Sequence, residues 1–154
     1  MATTSDRTPL FIDTNILVSE HIDTVADHAI VHAALVRMMQ AGAEFWLSRQ
    51  VLREYAALLT RPQPYTSPLP ATVVATQLRA FERLYRIADE TAAVTEHLIA
   101  LLESVPVGGK QIHDANIVAT MQAYGIGRLL TLNGADFRRF EPLITILAPE
   151  EVLR

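Results

Sequence analysis

The sequence contains no cysteine, so it can form neither a disulfide framework nor a metal site built on thiolates. It also lacks an uninterrupted apolar run of the roughly 18 residues that a transmembrane helix requires. Residues 1–8 are polar and have no apolar core, which is not the pattern of a secretory signal peptide. From these absences we expect a cytoplasmic protein that is not associated with a membrane.

Charge is also scarce, because only 19% of the 154 residues are charged whereas 50% are hydrophobic. A chain of this size and composition buries a substantial core, and we expect a single domain over residues 1–154 with its core at about 9–148. The net charge of −4 argues against nonspecific binding to duplex nucleic acid, which usually requires a basic face. It does not exclude a nuclease, because bound cations reverse the charge of an acidic active site locally.

Short apolar runs alternate with longer segments of helical periodicity along most of the chain. The short runs predict strands at residues 9–12, 44–47, 87–88, 128–131 and 143–147. Strands that alternate with helices are typical of parallel sheets. We therefore expect an α/β fold with a mostly parallel central sheet of four to five short strands.

The periodic segments between these runs predict the helices. They begin at Asp23 or Thr24, at Ser48, and at residues 71, 91 and 114, and a short helix follows Asp13. Four prolines within residues 61–70 predict a loop, and residues 132–140 are predicted to form another.

Four acidic residues fall where such a fold places its functional sites, beyond the carboxyl ends of the strands. Asp13 follows the first predicted strand, Glu54 lies in the helix after the second, Asp114 opens a helix, and Asp136 follows the strand at 128–131. Each has a simpler interpretation when taken alone, since Asp13 and Asp114 fit helix caps, Glu54 a helix surface and Asp136 a turn. The functional hypothesis therefore rests on the set of four.

Carboxylates gathered at one place repel one another unless a cation binds among them. Mg²⁺ and Mn²⁺ prefer oxygen ligands, and such ions promote hydrolysis of phosphodiesters by activating water and neutralising developing charge. The four acids thus indicate a metal-dependent hydrolase that acts on a phosphodiester.

The motifs around these acids resemble those of the PIN-domain family. Residues 11–17 (FIDTNIL) resemble the family's opening motif, 113–119 (HDANIVA) its third and 130–137 (LTLNGADF) its fourth. Glu54 matches the second acid of the family in position and context. The resemblance runs in the right order from about residue 10 to residue 147, and it implies a three-layer α/β/α sandwich.

Small single-domain PIN proteins of this form are similar to the VapC-type toxins of toxin–antitoxin pairs. The resemblance implies an RNA endonuclease acting on structured RNA such as tRNA or rRNA, a cognate antitoxin as protein partner, and a homodimer. It makes Asp13, Asp114 and Asp136 ligands of Mg²⁺ or Mn²⁺, and Glu54 a further ligand or a general base. Asn15, Thr131 and Asn133 would position the carboxylates, although they are equally compatible with plain caps and turns.

Other interpretations remain open at the level of sequence. A phosphatase of the haloacid dehalogenase type requires a second aspartate where Asn15 stands. A PIN nuclease outside a toxin pair, and a catalytically silent PIN scaffold that binds RNA or protein, are the further alternatives. Several basic residues could contact RNA phosphates or remain solvated, and His28 and His32 have a spacing found in zinc sites without a completing Glu. The basic residues concerned are Lys110, Arg138 and Arg139 beside the acids. Arg49 and Arg53, ahead of Glu54, could contact either RNA or an antitoxin.

Overall fold

A computed structural model describes residues 7–154. Within this range the chain forms one sheet of five strands, all parallel, in the order β3-β2-β1-β4-β5. The prediction of a mostly parallel sheet is confirmed. The strands are β1 (Thr8–Ile12), β2 (Ala43–Ser48), β3 (Arg86–Ala88), β4 (Arg128–Leu130) and β5 (Thr145–Leu147).

The central strand β1 is buried on both faces. Leu10 and Ile12 point to one face and Phe11 to the other, because side chains alternate along a strand, and all three are 0% exposed. A parallel sheet whose central strand is apolar on both sides requires helices on both faces. The local sequence therefore already demands three layers.

Helices cover the sheet in two groups that are defined by their mutual contacts. In the first, α1 packs on α2 and α3, α3 packs on α4, and α8 packs on α2. In the second, α6 packs on α5 and α7, which completes the α/β/α sandwich. The helices are α1 (Thr14–His21), α2 (His28–Gln40), α3 (Arg49–Leu59), α4 (Ala71–Leu84), α5 (Ala92–Ser104), α6 (Gln111–Ala123), α7 (Gly134–Phe137) and α8 (Pro149–Val152). No helix within residues 7–154 is long and apolar enough to cross a bilayer.

The structure corrects several predicted elements, and β5 begins at Thr145 rather than at residue 143. Helix α6 begins at Gln111, so Asp114 lies in its first turn and is not its N-cap. The segment 132–140 contains α7 and a 3₁₀ turn at Arg138–Phe140 where a loop was predicted. Helix α2 begins at His28, four or five residues after the predicted caps, and Asp27 at its N-cap position makes no side-chain capping bond.

The strand order reverses at β1, since the chain builds the sheet outward through β2 and β3 before it returns to place β4 on the other side of β1. Ligand sites of open α/β sheets lie at such a switch point, outside the carboxyl ends of the strands. Asp13 follows β1 and Thr131 follows β4, so both lie at this point.

Candidate active site

Asp13 lies at the junction of β1 and α1. It is the N-cap of α1, and its Oδ1 accepts a hydrogen bond from the backbone N–H of Thr14 at 2.7 Å. Its Oδ2 accepts from the Thr131 hydroxyl at 2.7 Å and from the Asn15 amide at 3.2 Å. Only 6% of the residue is exposed. The carboxylate is therefore held in one orientation by contacts from the first turn of α1 and from the residue that follows β4.

Asn15 and Thr131 also contact each other and the chain that follows β4. The Asn15 Nδ2 lies 3.3 Å from the Thr131 Oγ1, and its Oδ1 accepts from the backbone N–H of Leu132 at 3.0 Å. Asn133 reaches Thr131 through its backbone N–H, which donates to the hydroxyl at 3.0 Å, and the residue lines the adjacent cavity. These contacts join α1 to the end of β4 around Asp13.

Glu54 lies midway along α3, and each of its carboxylate oxygens accepts a hydrogen bond from a neighbouring side chain. The Thr14 hydroxyl donates to Oε2 at 2.7 Å, and the Gln50 amide donates to Oε1 at 2.8 Å. Since Thr14 follows Asp13 directly, the two acids are linked through a single residue. Glu54 is thereby oriented, and each oxygen keeps a second lone pair for another partner.

Asp114 and Asp136 approach the same space from α6 and α7. Asp114 is half-buried and Asp136 is exposed. Both line one cavity together with Asp13 and Glu54. The structure thus brings together the four acids that the sequence spreads from residue 13 to residue 136.

This cavity has a volume of about 740 Å³ and is lined by several acidic residues. Asp27 joins the four acids in its wall, whereas Arg61 is the cationic residue among the lining residues that the structure describes. The remainder of the wall mixes polar residues with apolar ones such as Val18, Val25 and Leu58. A polyanion that enters this space meets more negative than positive charge.

Burial raises the pKa of Asp13 from 3.8 to about 6, because a charged carboxylate loses solvation there. The hydrogen bonds from Thr131 and Thr14 oppose this shift, and the nearby charges of Glu54 and Asp114 add to it. The surroundings of Asp13 therefore favour the protonated, neutral form of its carboxyl group.

The pKa of Asp114 is likewise raised from 3.8 to about 6, again chiefly by burial. Repulsion from Asp136 and Glu54 adds to the shift, and Arg139 lowers it. Burial is therefore the main reason that the charged forms of Asp13 and Asp114 are disfavoured, and the negative charges of neighbouring acids add to it.

The donor set fits a hard divalent cation. Carboxylates and hydroxyls face the cavity, and oxygen donors of this kind suit Mg²⁺ or Mn²⁺. Within residues 7–154 no three His, Asp or Glu side chains are placed to hold an ion as they stand. Mg²⁺ usually keeps several waters, so carboxylates that do not bind it directly can hold it through those waters, and the arrangement fits an ion of that type.

A family model of the PIN domain matches residues 10–141. The chain belongs to the PIN-domain family. No curated protein matches it in sequence.

Solved structures share the fold of this PIN domain at low sequence identity. One is VapBC2 from Rickettsia felis, which is bound to a DNA fragment from the VapBC2 promoter. It gives a TM-score of 0.64 at 18% identity, and the match covers 92% of this chain and 98% of that chain. A toxin–antitoxin complex from Klebsiella pneumoniae gives 0.63 at 19%, covering 91% and 97%. VapC20 from Mycobacterium tuberculosis, a sarcin-ricin loop cleaving toxin, gives 0.58 at 20%, covering 78% and 86%.

The structure adds Thr14, Gln50 and Asn116 to the residues that the sequence singles out in this PIN domain. Gln50 is only 5% exposed, and its amide contacts Glu54 and, on α6, the backbone carbonyl of His113 and the side chain of Asn116. Thr14 and Asn116 stand inside the recognised motifs, but their partners lie 40 and 66 positions away. No local pattern in the sequence points to this network, because its contacts join residues that are far apart in the chain.

The basic residues near the acids have different partners. Arg49 pairs with Asp89 at 2.9 Å and with Glu82 at 3.2 Å, and Arg53 pairs with Glu90 at 2.9 Å. These pairs occupy both guanidinium groups at the protein surface.

The other flanking cations lie beside α6 and α7. Lys110, Arg138 and Arg139 are all exposed, and Arg139 donates to the carbonyl of Pro106 at 3.1 Å and lowers the pKa of Asp114. The charge of Arg139 therefore acts on Asp114, as that of Arg53 acts on Glu54.

The histidine pair on α2 has other contacts. The rings of His28 and His32 stack with centroids 6.2 Å apart, the His28 Nδ1 contacts the carbonyl of Ser19, and the His32 Nδ1 contacts Glu20 at 2.9 Å. These contacts hold both rings against the end of α1.

Proposed function

We propose that this PIN domain is a divalent-metal-dependent endoribonuclease that hydrolyses RNA phosphodiesters. The observation that carries the proposal is the single cavity into which β1, α3, α6 and α7 each place an acid, at the switch point of the sheet. Five carboxylates against one arginine make this cavity repel a polyanion. A cation among the carboxylates reverses that repulsion and stabilises both the site and the bound phosphate.

Mg²⁺ or Mn²⁺ would be held by Asp13, Asp114 and Asp136. Glu54 would be a further ligand or a general base. When bound, such an ion supplies an activated water and neutralises charge that develops on the phosphate oxygens. Asp13 is held rigidly by Thr131, Asn15 and the N-terminus of α1. A rigidly held metal ligand would fix the position of the ion and, through it, that of the phosphate. Positioning of this kind contributes strongly to catalysis.

Glu54 is the acid best oriented to receive a proton from an attacking water. Thr14 and Gln50 occupy one lone pair on each oxygen and leave the other lone pairs available. A general base must be held within hydrogen-bond reach of the proton that it removes. Asn15, Thr131 and Asn133 support the reaction indirectly through the orientation of Asp13.

We further propose that the protein is the toxin of a type II toxin–antitoxin pair, acts on structured RNA such as tRNA or rRNA, and forms a homodimer. Support comes from the fold, which is similar to the toxin–antitoxin complexes above. The similar VapC20 is a toxin that cleaves the sarcin-ricin loop. The cognate antitoxin would be the protein partner.

The decisive experiment is cleavage of purified total RNA by the isolated protein with Mg²⁺, with Mn²⁺ and with chelator. We expect discrete fragments that require the metal and are absent with Asp114→Asn. Asp89→Asn is the matched control, because this acid is exposed at the surface and does not line the cavity. The control should cleave like the wild type.

Two other outcomes would change the proposal. No cleavage of any RNA by folded protein under any metal condition would overturn the nuclease and favour a binding scaffold. Cleavage without growth arrest on expression, and without a short neighbouring gene whose product binds the protein, would support an RNA-processing nuclease in place of a toxin.

A further inference from the structure

Two of the acids in the cavity stand on helices that belong to different layers. Glu54 lies on α3, which packs with α1 and α4, whereas Asp114 lies on α6, which packs with α5 and α7. Helices α3 and α6 have little direct contact with each other. The relative position of the two carboxylates therefore depends on the side chains that bridge these helices.

Gln50 provides that bridge. Its Nε2 donates to the Glu54 Oε1 at 2.8 Å and to the backbone carbonyl of His113 at 2.9 Å. Its Oε1 accepts from the Asn116 Nδ2 at 2.7 Å. Within residues 7–154, every hydrogen bond that joins α3 to α6 involves this one amide.

The contacts of Gln50 also define the orientation of its amide. The NH₂ group faces two acceptors and the carbonyl oxygen faces a donor, so a flipped amide would place like groups together at all three contacts. Gln50 is 5% exposed, and a buried amide is stable only when it is hydrogen-bonded in this way. The bridge is therefore specific for a side chain that both donates and accepts.

The bridge extends to Asp13 on the opposite side. Thr14 donates to the other oxygen of Glu54 at 2.7 Å, and the backbone N–H of Thr14 binds Asp13. A continuous series of hydrogen bonds therefore runs from Asp13 through Thr14, Glu54 and Gln50 to α6, one residue before Asp114.

We propose that Gln50 is a positioning residue that fixes Glu54 relative to the helix carrying Asp114, and thereby sets the affinity of the cavity for a divalent cation and the rate of cleavage. This inference rests on the metal-dependent function proposed above. Gln50 acts through Glu54 and α6 and does not itself touch the reacting atoms. Partners of this kind behind metal ligands typically change metal affinity 10- to 100-fold when they are removed.

The test is to measure Mn²⁺ affinity by electron paramagnetic resonance, with no RNA present, for the wild type and Gln50→Leu. Leucine fills similar space without donor or acceptor, so we expect the affinity to fall about tenfold. In the RNA cleavage assay kcat should fall while KM for RNA stays unchanged, because substrate contacts are retained. Affinity and kcat both equal to the wild type would overturn the proposal.

The matched control is Gln77→Leu. Gln77 is a half-buried glutamine on α4 that accepts a hydrogen bond from the Tyr55 hydroxyl at 2.9 Å and lies outside the cavity lining. It should lose stability without a change in Mn²⁺ affinity. An equal loss of affinity in both variants would show a merely structural effect and contradict positioning.

A second variant keeps the proposal testable if Gln50→Leu does not fold. Asn116→Ala removes only the donor to Gln50 Oε1 and leaves both donations by Gln50 in place, so we expect a smaller but measurable loss of Mn²⁺ affinity. No loss at all would overturn the bridge. If the wild type binds Mn²⁺ but cleaves no RNA, the proposed nuclease activity is refuted, and the Mn²⁺ affinities of the variants still decide the role of Gln50. If the wild type binds no Mn²⁺, the proposed nuclease and the proposed role of Gln50 are both refuted.

Discussion

Asp13 combines two properties that usually exclude each other, near-complete burial and a carboxylate. Its hydrogen bonds from Thr14, Thr131 and Asn15 favour the charged form, yet burial outweighs them and raises its pKa to about 6. The charged form of this carboxylate is therefore unfavourable even though it is hydrogen-bonded, and a bound cation would stabilise it. At the scale of one residue, this is the clearest signature of function in the chain.

Asp13→Asn should abolish both Mn²⁺ binding and RNA cleavage without lowering the stability of the metal-free protein. Asparagine still offers an oxygen to the N–H of Thr14, and it is as good an N-cap as aspartate. Its Nδ2 cannot accept from Thr131 and Asn15 as the Oδ2 of aspartate does, but the removal of a buried charge offsets that loss at neutral pH. The measurements are RNA cleavage and the thermal unfolding midpoint in chelator at neutral pH, with the exposed Asp23→Asn as control. A midpoint far below that of the wild type in chelator would show that Asp13 is mainly structural.

At the scale of the element, α3 carries both Gln50 and Glu54 and depends on its N-cap. Ser48 is 0% exposed, and its Oγ accepts from the backbone N–H of Val51 at 3.2 Å. Ser48→Ala should destabilise the protein by about 1 kcal/mol, because a buried donor of the first turn loses its partner. Urea unfolding measures this change as a lower midpoint at an unchanged slope.

Ser104→Ala is the comparison for that loss. Ser104 ends α5, and its exposed hydroxyl donates to the carbonyl of Ala100 at 2.8 Å, so it caps no free N–H. Its replacement should change the free energy of unfolding by no more than a few tenths of a kcal/mol. Equal losses in the two variants would mean that the cap of α3 contributes nothing specific.

The elements also show what sequence alone can predict in this fold. Residues 9–12 are apolar and end in Asp13, so the strand, its burial and the following cap were all readable locally. The start of α6 was misplaced because Lys110 at its N-cap gives no capping signal, whereas Asp114 three residues into the helix does. The contacts of Gln50 were out of reach, since its partners on α6 lie 63 and 66 positions away and carry no local pattern.

At the scale of the whole molecule, the acids of the cavity make stability depend on pH. Asp13 and Asp114 both have a pKa of about 6 in the folded protein, above the ordinary 3.8 that holds in the unfolded chain. Between these values the folded state binds more protons than the unfolded state, so the free energy of unfolding falls as the pH rises. The contribution of the two groups is most favourable below about pH 4 and is lost above about pH 6.

The metal-free protein should therefore lose stability between about pH 4 and pH 7, with about 3 kcal/mol of the change assigned to the buried Asp13. Urea unfolding in chelator measures the change, and Asp13→Asn should show a shallower fall. Saturating Mn²⁺ should restore stability at pH 7, because the ion binds only the folded state, and should have little effect near pH 4, where protons occupy the carboxylates. A Mn²⁺ effect of equal size at both pH values would contradict binding at these acids, because it would place the ion on groups that do not titrate in this range.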